Sequence, residues 1–209
     1  MPDTADATGD APPPLILTLR LDEAAFARLD ALRRMHFPPA RNHLRAHLTL
    51  FHALPGGREA EVVAALAEAC AATPPLALAV SGLFPLGRGV AFDVDGEGLR
   101  PLRAALAARF RPWLTPQDAT GGWRPHVTVQ NKADPAEARA LLARLRAAFA
   151  PWTATGEGLL LHRYLGGPWE AVGTFPFRAG RREGAAGPSP GRGSADAALD
   201  RGEAGSIRI

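Results

Sequence analysis

Two spacings of apolar residues alternate along the chain, and they read as strand, helix, strand, helix, strand, then strand, helix, strand, helix, strand, strand. Continuous or period-two apolar runs mark strands, and a three-to-four spacing marks helices. Leu15 to Leu21 is the first predicted strand. Asp22 caps a helix running to about Arg34, with Phe26, Leu29 and Leu32 inward, and Phe37-Pro38-Pro39 ends it. A strand from about Leu44 to Phe51 stops before Leu54-Pro55-Gly56-Gly57, and the alanine-rich helix Arg58 to Ala72 is broken by Thr73-Pro74-Pro75. Strands Leu76 to Val80 and Val90 to Val94 are joined by a Gly/Pro-rich loop over 82–89. Pro101 falls in the first turn of a helix striped by Leu102, Leu106 and Phe110. Trp123 to Asn131 is again a strand, and Asp134-Pro135-Ala136-Glu137 opens a helix carrying Leu141, Leu142, Leu145 and Phe149. Gly158 to Leu165 and Trp169 to Phe177 are the closing strands. Residues 1–13 are acidic and proline-rich and read as a disordered leader. Residues 179–209, almost free of large apolar side chains, read as a disordered tail. Between them, 14–178 is predicted as one α+β unit built of two related lobes.

Within this pattern one stretch is written twice, as Arg45-Ala46-His47-Leu48-Thr49-Leu50 and as Arg124-Pro125-His126-Val127-Thr128-Val129. Side chains alternate faces along a strand. Arg, His and Thr therefore share one face of each copy, and the intervening apolar residues share the other. His47 lies 32 residues after Leu15, and His126 lies 36 after Val90, so a strand-helix unit of similar length precedes each histidine. Duplication of a half-fold accounts for this, and the two polar faces are expected to meet across a cleft.

Composition adds limits. The length suits one compact domain or two intimately joined lobes. Of 24 basic residues only Lys132 is a lysine, and the formal charge of +3 permits an anionic partner without demanding one. The single cysteine, Cys70, excludes an internal disulfide or a multi-cysteine zinc site. It shares a helical face with Val62, Val63 and Leu66 and reads as a buried core thiol. The apolar run Leu15 to Leu19 is too short for a secretory core or a membrane span, so the expected compartment is the cytoplasm.

An imidazole with a pKa near ~6.5 serves as base or acid at neutral pH. Two of them facing one phosphodiester can take a proton from an attacking water or hydroxyl and give one to the departing alkoxide. Thr49 and Thr128 point the same way and can donate to non-bridging phosphate oxygens. Arg45 and Arg124 share that face and can add positive charge. Arg88 and Phe84, in the loop between the lobes, can hold a nucleotide by charge and stacking. His52, five residues past His47, falls on the opposite face if pairing is regular and reads as structural. His36 and His43 stand at loop or strand ends without a partner motif. His162, beside Arg163 and Tyr164, leaves a substrate-facing role open. Trp123 and Trp169 read as packing aromatics.

The paired motifs His47-Leu48-Thr49-Leu50 and His126-Val127-Thr128-Val129 resemble the signature of the two-histidine phosphoesterase superfamily. Their context, HLTLFHALPG from His47, PHVTVQNK from Pro125 and YLGGPWE from Tyr164, resembles its bacterial 2'-5' RNA ligase-like branch. The resemblance covers about residues 14–178. It implies two pseudo-symmetric lobes of mainly antiparallel sheet flanked by helices, with the two H-x-T-x strands lining a central cleft. It also implies metal-independent opening of a 2',3'-cyclic phosphate, on an RNA terminus or a small nucleotide, to a 2'-phosphate, with reverse 2'-5' ligation in some members. Carried over, His126 is the base activating water, His47 the acid protonating the 3'-oxygen, and Thr49 and Thr128 hold the phosphate. The pseudo-symmetry leaves the division between base and acid open. The expected chain is a monomer with no cofactor, no metal and no membrane partner. The competing expectations are a catalytically silent RNA- or nucleotide-binding module of the same fold, and a metal-dependent hydrolase. The module would have no need of both titrating groups. The hydrolase lacks the surrounding carboxylate or cysteine ligands such sites use.

Overall fold

The structure, a computed structural model, describes residues 11–119 and 121–180. The expected leader and tail lie outside them, except for residues 11–13 and 179–180; of these, Pro12 and Pro13 pack against Gly56, where no side chain would fit. Seven strands form one antiparallel sheet: β1 (Leu15–Leu21), β2 (Leu48–Leu54), β3 (Leu76–Pro85), β4 (Val90–Asp95), β5 (His126–Gln130), β6 (Trp152–Tyr164) and β7 (Trp169–Pro176). The order is β2-β1-β6-β3-β4-β5, with β7 paired to β6. Among the described residues five α-helices accompany them: α1 (Glu23–His36), α2 (Glu59–Ala71), α3 (Leu99–Phe110), the short α4 (Pro116–Ala119) and α5 (Pro135–Ala147).

The long β6 joins the two halves. Its residue Gly156 pairs with Leu21 of β1 and also with Leu76 of β3. Outward from β6 on one side and from β3 on the other, the halves repeat. Leu160 pairs with Thr18 and Thr18 with Thr49; on the other side Phe84 pairs with Ala91 and Ala91 with Thr128. Each threonine of the repeat therefore lies in an edge strand, two strands out from equivalent positions, with His126 opening β5 and His47 immediately preceding β2. The opposite face of the sheet carries Leu15, Leu17, Leu48, Leu50, Val127 and Val129 into a core completed by Val62, Leu66 and Cys70 of α2 and by Leu99, Leu106 and Phe110 of α3. Cys70 is buried there as expected, which pushes its thiol up to about 11.

Several expectations change in detail: the strand expected from Gly158 starts at Trp152, and the second histidine strand, expected from Trp123, starts at His126. The first histidine strand starts at Leu48 rather than near Leu44, because residues 42–46 are held by α1 instead of by a neighbouring strand. The expected loop over 82–89 is strand up to Pro85, so Phe84 belongs to β3. And β2 is not regular: Leu17 pairs with Phe51 but Thr18 with Thr49, a bulge that breaks the parity that would place His52. His52 is nonetheless structural. Its backbone N–H and ring Nδ1 both engage the buried Asp118 carboxylate.

Among the described residues no helix is long and apolar enough to cross a membrane.

Candidate active site

Arg45 to Leu50 and Arg124 to Val129 have the same burial sequence: exposed arginine, buried residue, half-buried histidine, buried residue, half-buried threonine, buried residue. The rings are held identically. His47 Nδ1 lies 2.7 Å from the carbonyl oxygen of Arg45, and His126 Nδ1 lies 2.7 Å from that of Arg124. A carbonyl only accepts, so each Nδ1 carries the proton and each neutral ring leaves Nε2 as its open acceptor. Neither Nε2, nor the hydroxyl of Thr49 or Thr128, is engaged by another described residue.

The two edges are tied to each other by side chains that donate to strand carbonyls. Arg33 Nη1 donates to the Thr128 carbonyl at 2.9 Å, and Trp123 Nε1 donates to the Thr49 carbonyl at 3.0 Å. Arg33 is buried, and its Nε also donates to Asn42 Oδ1 and the Leu44 carbonyl. It thereby anchors the approach to His47 and the strand of His126 with one guanidinium.

Each arginine of the repeat is bound at the rim. Arg124 makes a two-pronged pair with Asp93 and lies 3.6 Å over the Phe84 ring, which in turn meets His126 edge-on at 5.5 Å. Arg45 pairs with Asp30 and lies 4.4 Å over Phe26. Asp30 is buried and also accepts from the Ala46 N–H and from Arg34. Burial alone would raise its carboxyl, but the Ala46 amide and the two guanidiniums outweigh that and hold it below the usual carboxylate range.

The halves differ around the imidazoles. The His47 ring packs on Trp169 at 4.7 Å, and Trp169 also meets His162 at 5.3 Å. Burial lowers the His47 pKa from about 6.5 to about 4; the backbone bond to Arg45 opposes this, and the charges of Arg33, His162 and His126 add to it. Burial lowers His162 too. A pocket of about 860 Å³ opens off His47, lined among others by Thr18, Arg45, His162 and Trp169.

Of the residues marked in the sequence, Arg45 and His47 line this pocket, Arg124, Phe84 and His126 stand together on the other edge, and the strands of Thr49 and Thr128 are held by Trp123 and Arg33. Arg88 joins neither group. Its Nε donates to the Ala133 carbonyl beyond the far end of β5, since Val90 already pairs with Gln130 while His126 pairs with Asp93. Trp123 packs against the core as expected, but Trp169 is a wall of the site. His43 lines the pocket as well. Asp30 and Arg33 are not among the residues marked in the sequence, although a signal exists: they follow Phe26 at four and seven residues, on the helix face that should be apolar.

A repeated His-Thr strand at each edge of one shared sheet is a specific arrangement, and a family model describing the 2'-5' RNA ligase superfamily matches residues 21–168. The chain belongs to the 2'-5' RNA ligase superfamily. It is thus of phosphoesterase or ligase type. Solved structures agree in fold. TT0787 of Thermus thermophilus superposes with a TM-score of 0.58 at 19% identity, covering 80% of this chain and 100% of that one. Escherichia coli LigT in complex with 3'-AMP gives 0.53 at 17% identity, over 80% and 99%. No curated protein matches the chain.

Proposed function

We propose that this superfamily member opens a 2',3'-cyclic phosphate on an RNA end or small nucleotide to a 2'-phosphate, without a metal. When an RNA 5'-hydroxyl replaces water, the same chemistry yields a 2'-5' linkage. The observation that carries this is the matched pair of imidazoles, each fixed through Nδ1 and open at Nε2. One Nε2 takes the proton of the attacking water as the new P–O bond forms. The other, protonated, delivers its proton to O3' as the P–O3' bond breaks. The hydroxyls of Thr49 and Thr128 donate to the non-bridging oxygens, where negative charge grows. The resemblance assigns the base to His126. Burial lowers the His47 pKa to about 4 and favours its neutral form, and the pseudo-symmetry leaves the division of base and acid open.

The test is ring opening of a short oligonucleotide ending in a 2',3'-cyclic phosphate, in EDTA. Wild type should give product, and His47→Ala or His126→Ala should each lose about 10²- to 10⁴-fold. Thr49→Ala and Thr128→Ala should lose less. Wild-type turnover in either histidine variant defeats the two-imidazole mechanism, and dependence on added metal defeats its metal independence. Tight nucleotide binding without turnover would leave the silent binding module.

A further inference from the structure

Four strands, β1, β6, β3 and β4, stand between β2 and β5 in the sheet order, yet two groups that share one reacting phosphate must keep their geometry to about 0.5 Å. Each motif strand is irregular at the same place. Thr18 and Leu17 face Thr49 and Phe51, and Ala91 and Val90 face Thr128 and Gln130, so Leu50 and Val129 are extra residues, each directly after the threonine of its copy. The other half attaches at these two bulges. Arg33, on α1 in the first half, donates through Nη1 to the Thr128 carbonyl at 2.9 Å, and through Nε to Asn42 Oδ1 and to the carbonyl of Leu44, just ahead of His47. Arg103, on α3 in the second half, donates through Nε to the Leu50 carbonyl at 3.1 Å, and through Nη2 at 2.8 Å to the carbonyl of Asp118, on the segment that leads to His126. Each arginine thus joins the strand of the far histidine to the approach of the near one. Both are buried, and neither has a carboxylate as hydrogen-bond partner among the described residues. Aromatic faces receive them: Arg33 lies 4.1 Å over Phe37, and Arg103 lies 4.9 Å over both Phe51 and Trp123. Trp123 in turn donates to the Thr49 carbonyl. Burying a guanidinium against neutral acceptors is costly for stability alone, but its planar fork fixes directions as well as distances.

We infer that Arg33 and Arg103 are a reciprocal pair of positioning residues: each is carried by a helix of one half and pins the motif strand of the other at its bulge, so that both guanidiniums together set the spacing of His47 and His126. They act through main-chain oxygens behind the imidazoles. Their effect on turnover rests on the proposed reaction; the reciprocal bracing of the strands does not.

The experiment compares wild type with Arg33→Lys and Arg103→Lys, which keep the charge and lose the fork. Arg109→Lys, on the same helix as Arg103 but paired with Glu68 at the surface, is the control. Opening of the cyclic-phosphate oligonucleotide is followed at a temperature where circular dichroism shows every variant fully folded. A displaced imidazole slows the chemical step without weakening substrate binding, so kcat should fall about ten-fold or more in each brace variant with KM little changed. The control should match wild type. Unchanged kcat in either folded brace variant means that its bonds serve the fold alone and overturns the pair. If a buried lysine prevents folding, Arg33→Gln or Arg103→Gln, which leave no buried charge, replace it under the same expectation. If wild type opens no ring, the proposed reaction fails, and the bracing is judged by nuclear magnetic resonance of the imidazole protons. Arg33→Lys should then move the His126 signals, and Arg103→Lys those of His47, each across the halves. Shifts confined to the histidine of the substituted half overturn it.

Discussion

His47 and His126 show how one residue type in one local geometry acquires two characters from its surroundings. Both rings donate Nδ1–H to the carbonyl two residues back. Only His47 is enclosed by Trp169 and faced by the charges of Arg33 and His162. The consequence reaches stability. In the unfolded chain His47 takes up a proton as pH drops below about 6.5, whereas in the folded chain it does so only near pH 4. Folding is therefore favoured above the unfolded pKa, and that contribution is lost as pH falls between the two values, by about 3 kcal/mol at full effect. His162 is shifted in the same direction and acts with the same sign. Denaturant midpoints measured at pH 7 and pH 4.5 should accordingly drop more for wild type than for His47→Asn. Equal drops would mean that burial of this ring is not what destabilises the acid form.

At the scale of elements, both histidine strands are steered by an arginine-carboxylate pair, but the carboxylates are placed differently. Asp30 projects from α1 into the interior and holds the backbone N–H of Ala46 as well as Arg45. Asp93 stands on β4, partly exposed, and holds only Arg124. Removing Asp30 strands a buried amide, so Asp30→Ala should cost about 2 kcal/mol, while Asp93→Ala should cost less than about 1 kcal/mol. Urea unfolding of the two variants measures the difference, and equal costs would argue that the pairs are equivalent. The same contrast explains what can be read from the sequence. The paired motif is legible because strand parity alone puts Arg, His and Thr on one face, and both copies obey it. Asp22 and Asp134 cap α1 and α5 as expected, since N-capping is local. The bulge in β2, the shared β6 and the seat of Trp169 against His47 arise from pairing between distant segments, which no local pattern encodes. Arg88 falls outside the site for the same reason: its loop lies between the halves in sequence, but register carries it to the far end of β5.

For the whole molecule, the duplicated halves share a sheet and a core instead of standing as separate lobes. Leu159 and Leu161 of β6, Phe51 of β2 and Phe110 of α3 belong to one continuous cluster with Phe92 and Val94 of β4. Phe51 and Phe110 meet edge-on at 5.7 Å, and Arg33 and Trp123 tie the two edges. The two candidate imidazoles sit on opposite edges, so their spacing depends on this coupling. Such a chain should open as one cooperative unit. Cys70 makes that testable, since its thiol is buried in α2 in the first half, whereas Phe92, packed on Phe149, is in the second. Phe92→Leu should destabilise by about 1 kcal/mol. If opening is global, labelling of Cys70 by a thiol reagent in mild urea should speed up about five-fold, the factor that energy sets on the open population. A labelling rate unmoved by Phe92→Leu would show that the halves open independently, and that the spacing of the two imidazoles is not protected by a shared core.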